Sequence, residues 1–185
     1  MDNKNINKIY IIDTDILKDG ELFSYYYALQ RPERREKIDR IKVDTGKRLS
    51  LGAGIVMEAA LKHAGVSDAD IVLTPGGKPV LSYMIKHLPT DVDPDTGRGL
   101  HPGQGAQDKV FDSPCYFNIS HTKNIAVCAV SDREVGIDIE HEREFNDPLI
   151  HRAFTEDEIR YVEGLSEGDR LSHYTRLWTI KESVM

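Results

Sequence analysis

Cysteine is scarce in this 185-residue sequence, with Cys115 and Cys128 the two present. They stand at no metal-ligand spacing, so neither a zinc site nor a disulfide framework is indicated. A reduced pair in a cytoplasmic protein is the expectation. A long apolar run is missing as well: nothing approaches the roughly 20 residues that span a bilayer, and the start, MDNKNINK, is too polar for a signal peptide. Nor is there an excess of base. The 24 Lys and Arg against 31 Asp and Glu leave a formal charge of −7, which argues against a general nucleic-acid binder while leaving room for a local basic pocket. Neither nucleic acid nor membrane is expected as a partner.

Two motif families are also absent. Asp91, Asp93 and Asp95 suggest a calcium loop, but Thr96 stands where that loop turns on glycine and Pro102 where it closes with glutamate. Gly97-Arg98-Gly99 is no dinucleotide fingerprint, because the third glycine is misplaced and no strand precedes it. The surrounding stretch, residues 89–113, is rich in Gly, Pro and Asp without periodicity. It reads as a long mobile loop between two parts of the chain.

What is present is an ordinary globular balance, 39% hydrophobic and 30% charged, in a chain long enough to bury a core as one domain or two small ones. Lys8 to Ile16 has strong strand propensity. Arg31 to Lys42 reads as a helix with Pro32 in its first turn. Lys47 to Ala64 carries Leu49, Ala53, Val56, Met57, Ala60 and Leu61 at helical spacing, with Gly65 as cap. Ile71 to Thr74 is a short strand before the turn Pro75-Gly76-Gly77. Thr155 and Glu158 form a capping box at the start of a helix, which gives Glu158 a structural task. A further helix begins near Glu167, with Leu171, Tyr174, Leu177 and Trp178 as its apolar stripe and Trp178 read as core.

Chemistry concentrates between Phe117 and Glu140, FNISHTKNIAVCAVSDREVGIDIE, and in WTIKES at residues 178–183. Ile125–Val130 and Val135–Glu140 read as the two strands of a hairpin with a four-residue connection. Alternation would put Asp138 and Glu140 on one face, roughly 7 Å apart. Such a pair is either the solvated face of an edge strand or, with a cation between the carboxylates, a Mg²⁺ site. Asn118, Ser120 and His121 upstream, and Lys181 and Glu182 at the other end, favour a site.

F-N-I-S-H, then G-I-D-I-E, then F-T-x-x-E, then W-T-I-K-E-S resembles, in order and spacing, the 4′-phosphopantetheinyl transferase superfamily in its longer, internally duplicated branch. The resemblance implies an α/β (α+β) fold of two similar halves, each a small antiparallel sheet packed on a long helix, related by a pseudo-twofold axis. Here the halves would be residues 1–112 and 113–185, the second truncated, since the family pattern continues past W-x-x-K-E with a further lysine and strands. It also implies the substrates, coenzyme A and a serine of an acyl or peptidyl carrier protein, and Mg²⁺ as cofactor. Asp138, Glu140 and Glu182 would hold the metal, with Asp138, Glu182 and Lys181 as catalytic residues. PERREKIDRI followed by GKRLSLG matches the stretch that holds the coenzyme's 3′-phosphate, which implicates Arg34, Lys37 and Arg48; by composition alone these are a solvated helix face. G-K-P adds Lys78, and Ser120 and His121 would meet coenzyme phosphates. The alternatives are a coenzyme A- or carrier-binding module without turnover, and a Mg²⁺ phosphohydrolase built on the D-x-E pair.

Overall fold

The longest helix organises the chain. Its apolar residues recur every three or four positions, so one stripe must find a partner. In the computed structural model, which describes residues 7–66, 71–73, 79–81 and 115–184, this helix, α3, spans Asp44–His63. It ends close to the expected place, with Ala64 rather than Gly65 as the cap; Gly65, the next residue, adopts φ +76°, a conformation that favours glycine. Ala53, Val56, Met57, Ala60 and Leu61 are buried along the stripe.

What they meet is an antiparallel sheet. β1 (Lys8–Asp13), β4 (Tyr116–Thr122) and β5 (Ile125–Ser131) lie in the order β1-β5-β4. Ala126, Cys128 and Val130 of the central strand join the α3 stripe in one core cluster, with Tyr10, Ile12, Phe117 and Ile119 packed against it. A smaller antiparallel pair, β2 (Ile71–Leu73) and β3 (Pro79–Leu81), contributes Ile71 and Leu81 to the same cluster. The architecture is α+β, and the three-stranded sheet draws on strands from both sides of residue 112. Burial pushes the Cys115 thiol up to about 11 and Cys128 up to about 12, which keeps both protonated at neutral pH, and no disulfide joins them. Among the described residues no helix is long and apolar enough to cross a membrane.

The hairpin differs from the sequence expectation. It joins β4 to β5, not β5 to residues 135–140, which form no strand. The turn is Lys123-Asn124, with Lys123 at φ +42°, the positive φ that a two-residue hairpin turn demands. Its tip is tied to the end of β1. The Thr14 N–H and hydroxyl both donate to the Asn124 carbonyl (2.6 and 3.0 Å), and Asn124 Nδ2 donates to Asp13 Oδ1 at 3.0 Å.

Among the described residues a 3-10 helix, Thr14–Lys18, and two α-helices precede α3. α1 (Gly20–Leu29) starts at Asp19, whose carboxylate accepts from the Glu21 and Leu22 N–H groups. α2 (Pro32–Arg40) has proline in its first turn and buries Ile38 against Leu51 of α3 and Leu17. At the other end come α4 (Asp147–Ala153), α5 (Glu156–Glu163) and α6 (Glu167–Ser183). They enclose a second cluster of Phe154, Ile159, Val162 and Tyr174, with Phe145, Leu177 and Trp178 at its margin.

The capping box at the start of α5 forms as expected, and Glu158 also reaches α6. Its carboxylate accepts from the Thr155 N–H at 2.7 Å and pairs with Lys181 Nζ at 2.8 Å. The hydrogen bond from Lys181, then that from the Thr155 backbone, hold the Glu158 carboxyl below the usual carboxylate range. Its folded pKa lies below the unfolded one, so its stabilisation is complete above the ordinary carboxylate pKa and fades as pH falls through the folded value. Thermal melts should therefore show Glu158→Gln melting below the parent chain at neutral pH, with the gap closing in acid. Thr155→Ala should cost about 1 kcal/mol in denaturant titrations, the usual value of an N-cap.

Candidate functional site

The two faces of β4 serve different purposes. Successive side chains of a strand point to opposite sides, so Phe117, Ile119 and His121 share one face and Ser120 and Thr122 the other. Phe117 and Ile119 pack on the α3 side, and His121 continues that row to the rim of a cavity.

This cavity, of about 820 Å³, lies between α2, α3, the β2–β3 pair and β4. Arg31, Arg34 and Lys37 project into it from the α2 side, opposed by Glu33 and Glu58. Arg34 is the most constrained. Burial lowers its guanidinium pKa, Glu58 opposes that shift, and the Arg31 charge adds to it. Its Nη2 donates to Met57 Sδ at 3.9 Å, a weak acceptor for a charged donor. Arg31, which was not anticipated from the sequence, donates from both Nη atoms to the Ile71 carbonyl at 3.3 Å and so ties α2 to β2.

Of the residues implicated for the coenzyme, Arg34, Lys37 and His121 thus share one cavity. Arg48 is not on its wall, and its Nε is buried without a hydrogen-bond partner. Lys78 and residues 89–113 lie outside the described residues. Ser120 faces away from the cavity. Its hydroxyl donates to Asp138 Oδ1 at 2.6 Å and accepts from the Ile139 N–H at 3.3 Å.

The acidic pair sits on this second face of β4. Thr122 Oγ1 donates to Glu140 Oε2 at 3.5 Å, two residues along from the Ser120–Asp138 bond. Asp138 and Glu140 therefore do share a face, but side-chain bonds to β4 position them rather than a strand ladder. Asp138 Oδ2 is buried with no hydrogen-bond partner. An ionised oxygen left so is costly unless a cation or proton meets it. The end of α6 comes up to the same segment: a Cβ on Gly136 would run into the Ser183 carbonyl. Glu182, next to Ser183, is thereby tied to the chain two residues from Asp138.

Among the described residues no three His, Cys, Asp or Glu groups gather as a ready-made metal cage. Mg²⁺ does not require one, since it takes one or two carboxylates and fills its other positions with water and phosphate. The buried, unpartnered Asp138 oxygen beside Glu140 fits that ion. Lys181 is occupied elsewhere, in the ion pair with Glu158 and 5.8 Å from the Phe154 ring centroid.

Comparison with known proteins includes a match over the part of the chain that holds this acidic segment. The family model of the 4′-phosphopantetheinyl transferase superfamily matches residues 134–185. The chain is 39% identical over 74 residues to the 4′-phosphopantetheinyl transferase gsp of Aneurinibacillus migulanus, covering 40% of this chain and 31% of the relative. It is 35% identical over 81 residues to the 4′-phosphopantetheinyl transferase HetI of a Nostoc species, covering 42% and 34%. To the 4′-phosphopantetheinyl transferase Sfp of Bacillus subtilis it is 29% identical over 82 residues, covering 40% and 37%. The chain thus spans about a third of the length of the curated relatives it matches.

Proposed function

We propose that this chain transfers the 4′-phosphopantetheine arm of coenzyme A to a serine of an acyl or peptidyl carrier protein, releasing 3′,5′-ADP, with Mg²⁺. The observation that carries the reading is that Arg34 and Lys37 of α2 and His121 of β4 meet in one cavity. The similarity of the chain to proteins named 4′-phosphopantetheinyl transferases supports it.

In this mechanism the serine oxygen attacks the phosphorus that bears the pantetheine arm. The bond from that phosphorus to the bridging oxygen breaks, and its electron pair leaves with 3′,5′-ADP. Arg34 and Lys37 hold the 3′-phosphate, as fixed positive charge suits a dianion. His121 sits where a second phosphate oxygen would pass. Asp138, Glu140 and Glu182 are the residues that would hold Mg²⁺. The ion, when bound, offsets the charge building on the leaving phosphate. Glu182 accepts the serine proton. Lys181, through its bond to Glu158, keeps the last turn of α6 and hence Glu182 in place.

The test is intact-mass spectrometry of an apo carrier protein incubated with the full chain, coenzyme A and Mg²⁺. A mass gain equal to the phosphopantetheine arm is expected, and it should vanish when EDTA is added. Coenzyme binding without any gain would replace this reading with a binding module, and release of nucleotide without acceptor would point to a hydrolase.

A further inference from the structure

β1 lies at an edge of its sheet, and nothing there blunts it. Among the described residues its one strand neighbour is β5. The bond from the Thr14 N–H to the Asn124 carbonyl continues that ladder and sets its phase. In an antiparallel pair the backbone groups of alternate residues point to the neighbour, so Lys8, Tyr10 and Ile12 address β5. Ile9, Ile11 and Asp13 turn their N–H and C=O groups outward. Edge strands are commonly protected by a bulge, a proline or a charge within the strand. Here the register with β5 runs unbroken from Lys8 to Asp13, and charge stands only at the two ends.

The side chains on this edge are apolar as well. Tyr10 and Ile12 pack on the α3 side, so Ile9 and Ile11 occupy the opposite face. There they are 63% and 67% exposed. Their partners on β5, Ala129 and Val127, are buried. The same face is thus covered over β5 and bare over β1.

The strand is complementary to itself. K-I-Y-I-I-D is basic where it starts and acidic where it ends. A second copy running antiparallel brings the Lys8 end of each strand to the Asp13 end of the other, whereas a parallel one sets like charges together. A two-fold axis between antiparallel strands keeps each sheet face on its own side, so only residues of the same face can stand opposite each other. Centring the pair on Tyr10 sets Ile9 of each copy against Ile11 of the other, and Tyr10 against Tyr10. Centring it on Ile11 would set Ile9 against Asp13. The first alignment joins apolar to apolar and aromatic to aromatic, the pairs that stabilise a sheet. Its ladder uses the outward backbone groups of Ile9 and Ile11.

We propose that β1 is a self-association edge, through which two copies of this chain pair antiparallel about Tyr10 into one continuous sheet, β4-β5-β1-β1-β5-β4. The exposed isoleucines of both copies then form a single apolar patch across the axis. β4, with Ser120, His121 and Thr122, stays at the far edges, so the pairing stands apart from the coenzyme A reading.

Sedimentation equilibrium of the full chain tests it. Twice the 20.9 kDa mass of one chain is expected, giving way to the single mass on dilution. Ile11→Lys puts a charge into both Ile9–Ile11 contacts, each worth about tenfold, and should weaken association about a hundredfold. Its melting temperature should hold, because Ile11 is exposed in the single chain. Lys8→Glu should weaken association in low salt and do so less in high salt, since exposed charges are screened. Oxidative cross-linking reads the alignment. A chain carrying both Ile9→Cys and Ile11→Cys should link to its copy far more readily than either single variant, the native Cys115 and Cys128 being buried. Efficient linking by Ile11→Cys alone overturns the alignment on Tyr10. A parent chain that stays single at every concentration overturns the proposal and leaves the edge to an extended segment of another protein. A dimer that Ile11→Lys leaves intact overturns it too, since such a dimer lies on another surface.

Discussion

Asp138→Ala is expected to reduce Mg²⁺-dependent transfer by on the order of a hundredfold or more while leaving the melting temperature nearly unchanged. Partners that merely orient a metal ligand are worth roughly ten- to a hundredfold, and the ligand itself should exceed them. The fold should survive because residues 138–140 lie outside the clusters around α3 and around Trp178, and the Thr122–Glu140 and Ile139–Ser120 bonds remain when the Ser120–Asp138 bond is lost. The substitution removes one buried unpartnered oxygen, Oδ2, along with the Ser120 bond to Oδ1, and the two effects oppose each other. Ser120→Ala serves as the graded comparison. It keeps the carboxylate but frees its orientation, and a loss of about tenfold is expected. Rates from the carrier-modification assay across a Mg²⁺ titration decide the matter. An Asp138→Ala chain with an unchanged rate would remove this residue from the metal site.

Gly136→Ala should be nearly as damaging, for a steric reason. The added methyl would occupy the position of the Ser183 carbonyl, which is backbone and cannot rotate aside. Overpacking of this kind costs roughly 1–3 kcal/mol, and the relief is movement of the last turn of α6. Glu182 moves with it. Transfer should therefore fall by more than the melting temperature alone would explain, and Gly136→Val should be worse again. Gly20→Ala, where an added Cβ meets nothing within 4 Å, is the neutral control. Equal rates and melts for Gly136→Ala and Gly20→Ala would show that α6 does not depend on this contact.

Much of the fold was legible because the relevant physics is local. The stripe of α3, the proline that starts α2, the capping box of Thr155 and Glu158, and the packed Trp178 all follow from spacing within a few turns. The helix α1 passed unread although Asp19 is a good N-cap, because its aromatic run FSYYY shows no clear period. The hairpin was misplaced for a different reason. Val135 to Glu140 alternates like a strand, and alternation cannot distinguish a backbone ladder from a segment moored by Ser120 and Thr122. In YFNISHT the polar residues drew attention as chemistry, which masked a strand with Phe117 and Ile119 on its inner face. At the site, Arg34, Lys37, His121, Asp138 and Glu140 were all singled out by the family resemblance. Arg31 was not, since its tie to the Ile71 carbonyl depends on how α2 meets β2, which leaves no trace in spacing.

The bond between Thr14 and the Asn124 carbonyl joins residues 110 positions apart, and this has a bearing on how the chain is made. β1 leaves the ribosome well ahead of its neighbour in the sheet, β5, which comes more than a hundred residues later. Until then the apolar stripe of α3 has only β1 and the small β2–β3 pair to cover it. Contacts of such long sequence separation slow folding, because the loop must close before any pairing rewards it. The first half of this protein is therefore expected to wait as a helical, sticky intermediate for the FNISH hairpin to arrive, a natural client for chaperones during synthesis.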